Sequence, residues 1–331
     1  MRYIPTILFV CCLNAAEIHL EATGVRLVEP FAVGFDRQGN SYICEYKGQR
    51  ITRVDKQGKS APFAGTGAAG YSGDGGPAVS AMLKDPHGLV VTRSGQMYVA
   101  DTINHVIRRV ELKSGIISTI AGTGRAGFSG DGGPAAKAEF NGTFAVALNK
   151  AQDKLYVADL NNRRVRRIDL KSGTVTTAAG NGESAAPTDG SRAADSPLVD
   201  PRAIALDSKG NLYILERRGN ALRVAGRDGT IRTVIGPGTI SPDLHGPKHL
   251  TVDAKDNVII ADAENHLVRL YSPRTGKTRT IAGTGRKCDK IVASDPSQTE
   301  LNRPHGVTVD AAGRLYISDS YNHRVLRLTG Y

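Results

Sequence analysis

At 331 residues the chain is long for one ordinary domain, and 38 glycines against no tryptophan suit a fold of many tight turns and repeated small packing positions. Lysine and arginine number 43 against 32 acidic residues, a formal charge of +11 that favours anionic partners without choosing a fold. The N-terminal apolar run, Ile4 to Leu13, is too short to cross a membrane, so no membrane span is expected.

Residues 1–16, MRYIPTILFVCCLNAA, have the form of a secretory signal peptide: one cation, the apolar run, then small residues, with cleavage near Ala15 or Ala16. This predicts a secreted or periplasmic protein whose mature part is residues 17–331. Neither Cys11 nor Cys12 follows the small residue that a lipid anchor requires. Removal leaves Cys44, at a strand position held elsewhere by alanine, and Cys288, in a linker, so no disulfide between them is expected. Segment 18–24 is an extra strand, its end resembling that of the fourth strand in the repeat described next.

Residues 86–124 read as four short strands. Gly88–Val91 is closed by a turn at Gly95; Gln96–Ala100 ends at Asp101; Val106–Val110 is rich in β-branched residues; a hairpin at Lys113-Ser114-Gly115 leads to Ile116–Ala121. Such a meander cannot bury both faces alone. Copies begin near Pro30, Pro86, Thr143, Pro201, Pro247 and Pro304, and the last stops at Tyr331 after its third strand. The prediction is an all-β, six-bladed β-propeller of four-stranded blades, its ring closed by the N-terminal strand.

The phrases Tyr98-Val99-Ala100-Asp101 with Asn104-His105, and Asp319 with Asn322-His323-Arg324-Val325, resemble the NHL repeat. Ser72-Gly73-Asp74-Gly75-Gly76-Pro77-Ala78, returning at Ser129–Ala135, is similar to a linker of exported bacterial NHL proteins. The resemblance spans roughly residues 18–331. It implies the propeller; for function it implies less, since that family includes scaffolds, RNA binders and a peptide-amidating lyase.

The glycine-rich linkers lack the lysine and strand-to-helix context of a phosphate loop, so they read as turns in which Asp74 and Asp131 bond local amides and Tyr71 and Phe128 anchor the loop. Antiparallel order places these linkers and the second-to-third-strand loops on one face, taken as functional, and the hairpin turns on the other. Glu45, Asp101, Asp159, Glu216, Asp262 and Asp319 form a ring with a structural reading, accepting from loop amides or from strand-three arginines such as Arg53, Arg109, Arg167 and Arg327. Blades one and four deviate, with Glu followed by Gly48 or Gly219, which leaves an acid pair across the ring as an alternative.

A site must break the symmetry. The residue after each opening proline, or after Thr143 in the third copy, does so: Phe31, His87, Phe144, Arg202, Lys248 and His305. These form a basic, partly apolar mouth suited to an anionic peptide, glycan or small acid. One place on, the residues are small except His249. His87, His249 and His305 could together hold zinc, or the channel calcium, and the resemblance to the amidating lyase implies channel histidines of that kind. His105, His266 and His323 repeat in phase and read as loop structure. The reading that results is an exported, monomeric scaffold binding a protein, peptide, glycan or small anion through its loop-bearing face. The alternatives are a metal-dependent lyase or hydrolase in the central channel and, where export does not argue against it, nucleic-acid binding.

Overall fold

The computed structural model describes residues 16–21, 26–239 and 243–331; the expected signal peptide, apart from Ala16, and residues 22–24 of the closing segment lie outside them. A short strand, β1 (Glu17–Leu20), comes first. Blade one holds β2 (Pro30–Phe35), β3 (Ser41–Glu45), β4 (Arg50–Val54) and β5 (Ser60–Ala64). Blade two holds β6 (Pro86–Val91), β7 (Gln96–Asp101), β8 (Val106–Glu111) and β9 (Ile117–Ala121), within a residue or two of the strands expected from sequence. Blade three follows as β10 (Thr143–Leu148), β11 (Lys154–Asp159), β12 (Arg164–Asp169) and β13 (Val175–Ala179). Blade four is β14 (Pro201–Leu206), β15 (Leu212–Glu216), β16 (Ala221–Ala225) and β17 (Ile231–Ile235). Blade five is β18 (His249–Val252), β19 (Val258–Asp262), β20 (Leu267–Ser272) and β21 (Lys277–Ala282). The last blade has β22 (Gly306–Val309), β23 (Leu315–Asp319) and β24 (Arg324–Thr329), and β1 completes it in the order β1-β24-β23-β22.

All six sheets are four-stranded antiparallel meanders, so the six-bladed propeller is as expected. Glu17 pairs with Thr329 and Leu20 with Leu326, while Ile18 is fully buried in a cluster with Leu326 and Leu328. No sheet is left one strand short.

Each blade is apolar on both faces because both are covered by neighbours. The buried cluster of Ala32, Tyr42, Cys44, Leu89, Met97 and Val99 joins blades one and two, and comparable clusters join the others. Cys44 and Cys288 are free, as expected. Inner strands β2, β6, β10 and β14 all open with a bulge: Pro30 pairs with Glu45, yet Val33 is the next paired residue, opposite Ile43. The bulge sets the residue after the opening position apart from the regular ladder. The following position is small for a steric reason. A Cβ on Gly306 would lie 1.6 Å from the Phe31 carbonyl oxygen, and one on Gly88 would lie 2.9 Å from that of Phe144.

The in-phase histidines are structural, as expected. His105, His266 and His323 take left-handed φ of 57°, 54° and 54°, and their Nδ1 atoms accept the amides of Gly142, Arg303 and Glu29 in the next blade at 3.0, 3.1 and 3.3 Å.

The six carboxylates form a fully buried belt. Each accepts a linker amide: Val28 to Glu45, Lys84 to Asp101, Asn141 to Asp159, Val199 to Glu216, His245 to Asp262 and Asn302 to Asp319, at 2.7–2.8 Å. Each also meets an arginine, but not the expected ones. The partners are Arg50, Arg108, Arg166, Arg223, Arg269 and Arg324. Side chains alternate along a strand, so Arg109 and Arg167, one place away, face Tyr98 and Tyr156 on the opposite surface. Arg53 instead donates to Asn40, and Arg327 pairs with Glu21.

The glycine-rich linkers also differ from expectation. Asp74 and Asp131 receive the buried Arg108 and Arg166 at 2.8 and 2.7 Å, so each arginine is clamped between a belt carboxylate and a linker carboxylate. Tyr71 and Phe128 cover these guanidinium groups at 5.0 and 4.8 Å.

Candidate functional site

The six opening residues converge at one end of the channel. Phe31 meets His87 at 4.9 Å and His305 at 5.4 Å between ring centroids; His87 meets Phe144 at 4.3 Å; Phe144 carries the Arg202 guanidinium 3.9 Å above its ring. Lys248 follows in blade five, beside Arg202 and Arg217. Phe31, His87, Lys248 and His305 are 3, 4, 7 and 5% exposed, while Phe144 and Arg202 are half-buried. The result is a shallow bowl, aromatic across blades one to three and cationic across blades four and five.

Its polar groups are unevenly satisfied. The Nδ1–H of His87 donates to the Asp85 carbonyl at 2.8 Å and lies 2.9 Å from the Thr102 hydroxyl, whose own proton goes to the Thr143 carbonyl. By contrast, both ring nitrogens of His305 and the Nε of Arg202 are buried with no hydrogen-bond partner among the described residues. Burial, then the Arg217 charge, pushes Arg202 down to about 9. Burial, then Arg202 and Arg217, pushes Lys248 down to about 7 against the opposing pull of Glu264. His87 and His305 are held well below the usual histidine value, mainly by burial and then by these cations, so both imidazoles are neutral near pH 7.

The proposed histidine trio does not form a metal site. Phe31 contacts all three imidazoles, 4.9, 6.2 and 5.4 Å from His87, His249 and His305 between ring centroids. Among the described residues no group of three His, Cys, Asp or Glu side chains is placed to hold zinc or calcium. His249 instead reaches across to blade six, where its Nδ1 lies 3.0 Å from the Val307 carbonyl; burial pushes it down to about 4. It replaces the backbone-to-backbone approach that glycine permits at the next junction. Glu45 and Glu216, the alternative acid pair, are each engaged by their own arginine and amide.

Blades one and four break the symmetry for another purpose. In blades two, three, five and six the second-to-third-strand loop is a short 3-10 turn, which blades one and four lack. Their Glu in place of Asp brings the carboxylate under the loop, where a Cβ on Gly48 or Gly219 would lie 3.1 or 2.7 Å from a carboxylate oxygen. The altered loops deliver Tyr46, 4.5 Å from the His87 ring, and Arg217, 3.7 Å from Glu264. Arg303 pairs with the same carboxylate and sits 5.2 Å from the Tyr321 ring. Tyr46, Arg217, Glu264 and Arg303 were not among the residues expected from sequence. The Glu-and-Gly deviation was the visible signal for the first two.

A cavity of about 1290 Å³ opens at the other end of the channel, lined by Val33, Leu89, Ile204 and Leu250, by His249 and by the hairpin turns. Phe31 and its ring neighbours separate it from the bowl.

The NHL repeat family model matches residues 301–328, and the Teneurin NHL domain model matches residues 66–127. NHL repeat-containing protein 2 of Gallus gallus is 26% identical over 339 residues, covering 90% of this chain and 46% of its own length. The chain thus spans less than half of that relative. Among solved structures, an auxiliary nutrient binding protein from Bacteroides ovatus superposes with a TM-score of 0.66 at 15% identity, covering 95% of this chain and 76% of the other. A catalytically inactive virginiamycin B lyase from Staphylococcus aureus, solved with quinupristin, superposes at 0.61 and 14% identity, covering 95% and 99%. At such identities these two structures share the fold.

Proposed function

Taking the chain as an NHL-repeat propeller with six blades, we propose that it is a binding scaffold whose linker face captures an anionic group at the bowl. The observation that carries this reading is a set of adjacent buried polar groups without partners: Arg202 Nε and both nitrogens of His305, on either side of a desolvated Lys248. Buried polar atoms are almost always hydrogen-bonded, and unpaired ones signal something that completes them. An anion supplies acceptors to Arg202 Nε and to the one N–H of the neutral His305 ring, and opposes the mutual repulsion of the cations.

Titration calorimetry with acetate and inorganic phosphate at low salt tests this, using Arg202→Gln and Lys248→Met as controls. Binding that is lost in both variants, survives chelation and lacks the steep salt dependence of a phosphate backbone supports the scaffold over the metal-enzyme and nucleic-acid alternatives. Anion binding that ignores both substitutions moves the site elsewhere. A secreted or periplasmic location belongs to the same proposal and rests on the pattern of residues 1–16. Fusing that segment to a reporter and finding the reporter retained in the cytoplasm would remove it.

A further inference from the structure

The bowl is two-sided, and the sidedness specifies more than charge. Around Arg202 and Lys248 stand four cations, Arg202, Arg217, Lys248 and Arg303, against two carboxylates, Asp200 and Glu264. Both carboxylates are already engaged: Asp200 by the amide of Arg218 at 2.8 Å, and Glu264 by Arg303. The remaining surplus is small, and it sits on Arg202 and Lys248. Arg202 is held over the Phe144 ring, 3.9 Å from its centroid, and a guanidinium fork matches the two coplanar oxygens of a carboxylate. The opposite half offers no unpaired charge: Lys47, whose Nζ lies 4.2 Å over the Tyr46 ring, is 3.7 Å from the Asp85 carboxylate. There Tyr46 and Phe144 are half-buried and present aromatic surface beside the fork, while Phe31 and His87 close the floor.

We propose that the bowl takes a monocarboxylate borne on an aromatic ring, the carboxylate between Arg202 and Lys248 and the ring against Tyr46 and Phe144. This rests on the anion-capturing reading above. Two sources share the chemistry, a free aromatic acid and the C-terminal aromatic residue of a polypeptide. The recess favours a terminal group in either case, since Lys248 and His305 lie nearly covered beneath the rim formed by Arg217, Glu264 and Arg303. His305 then donates its one ring N–H to a polar atom beside the carboxylate.

The test is calorimetry on the folded protein with 3-phenylpropionate, its uncharged amide, acetate and inorganic phosphate, and with a short peptide ending in phenylalanine as free acid or amide. Ring contact is expected to make 3-phenylpropionate or the free-acid peptide about tenfold tighter than acetate. Replacing the carboxylate by an amide is expected to weaken binding on the order of a hundredfold. Tyr46→Ala, a half-buried position, should bring the ratio of 3-phenylpropionate to acetate affinity down toward one. Tighter binding of the peptide than of the free acid identifies a chain end, and the reverse identifies a small molecule. If acetate and phosphate bind as well as the aromatic acids, or Tyr46→Ala changes nothing, the aromatic assignment is overturned while anion capture stands. If no anion binds, both fall.

Discussion

The propeller buries charge in two places and treats it in opposite ways. In the carboxylate belt every acid has an arginine and an amide, although blades one and six draw the arginine from the start of the third strand, Arg50 and Arg324, and the other four from two residues further on. In the bowl, Arg202 and His305 keep unpartnered nitrogens and no two neighbouring blades carry the same residue. Comparable burial gives a belt in which every acid is paired, although Arg108 Nε has no partner there, and a bowl in which neither Arg202 nor His305 has a hydrogen-bonded acid among the described residues. The first stabilises the ring; the second costs stability that a ligand can return.

The comparison breaks most visibly at Arg108. Arg108→Ala strands two carboxylates, one of them fully buried, and should cost about 3–5 kcal/mol in chemical denaturation. A loss no larger than that of an exposed arginine would mean the belt is not what holds the blades. Ile18→Ala tests the closing strand, with an expected loss of about 2–4 kcal/mol for a fully buried isoleucine; an unchanged melting temperature would reject the clasp. The bowl should behave in the reverse sense. Lys248→Met, removing a buried cation that lacks a hydrogen-bonded acid, should leave stability unchanged or raise it by up to about 1 kcal/mol while abolishing anion binding.

The same lysine also makes stability depend on pH. Lys248 is pushed down to about 7 in the fold by burial, Arg202, Arg217 and Arg303, with only Glu264 opposing, against about 10.4 in an unfolded chain. Between those values the folded protein binds fewer protons than the unfolded one, so its contribution to stability rises with pH across that window. Anion affinity moves the other way, falling above pH 7 as the amine loses its charge. Melting curves from pH 7 to about 10, read as the difference from Lys248→Met, should show the slope; parallel curves would remove the argument.

Much of this architecture was legible in the residues. Period-two strands, turn glycines and the Tyr-Val-Ala-Asp phrase place six blades and the closing strand, because each is a local pattern repeated in phase. Register was not legible at the level of one residue: Arg108 and Arg109 are adjacent cations, and only the pairing of β7 with β8 decides which meets Asp101. The histidine trio failed for a related reason. His87 and His305 share a ring position, but His249 is one place on and points across a blade junction, and nothing in the sequence says that Phe31 contacts all three. The bowl's partners Arg217, Glu264 and Arg303 come from separate loops that only the closed ring brings together.

The clasp between β1 and β24 has a mechanical consequence. Glu17 and Thr329 are paired at the same edge of the sheet, with Leu20 and Leu326 deeper in. Tension applied to the chain at those two outer residues would pull the strands apart from one end, loading the hydrogen bonds in succession instead of all at once. Under traction at this edge the ring therefore opens like a zip.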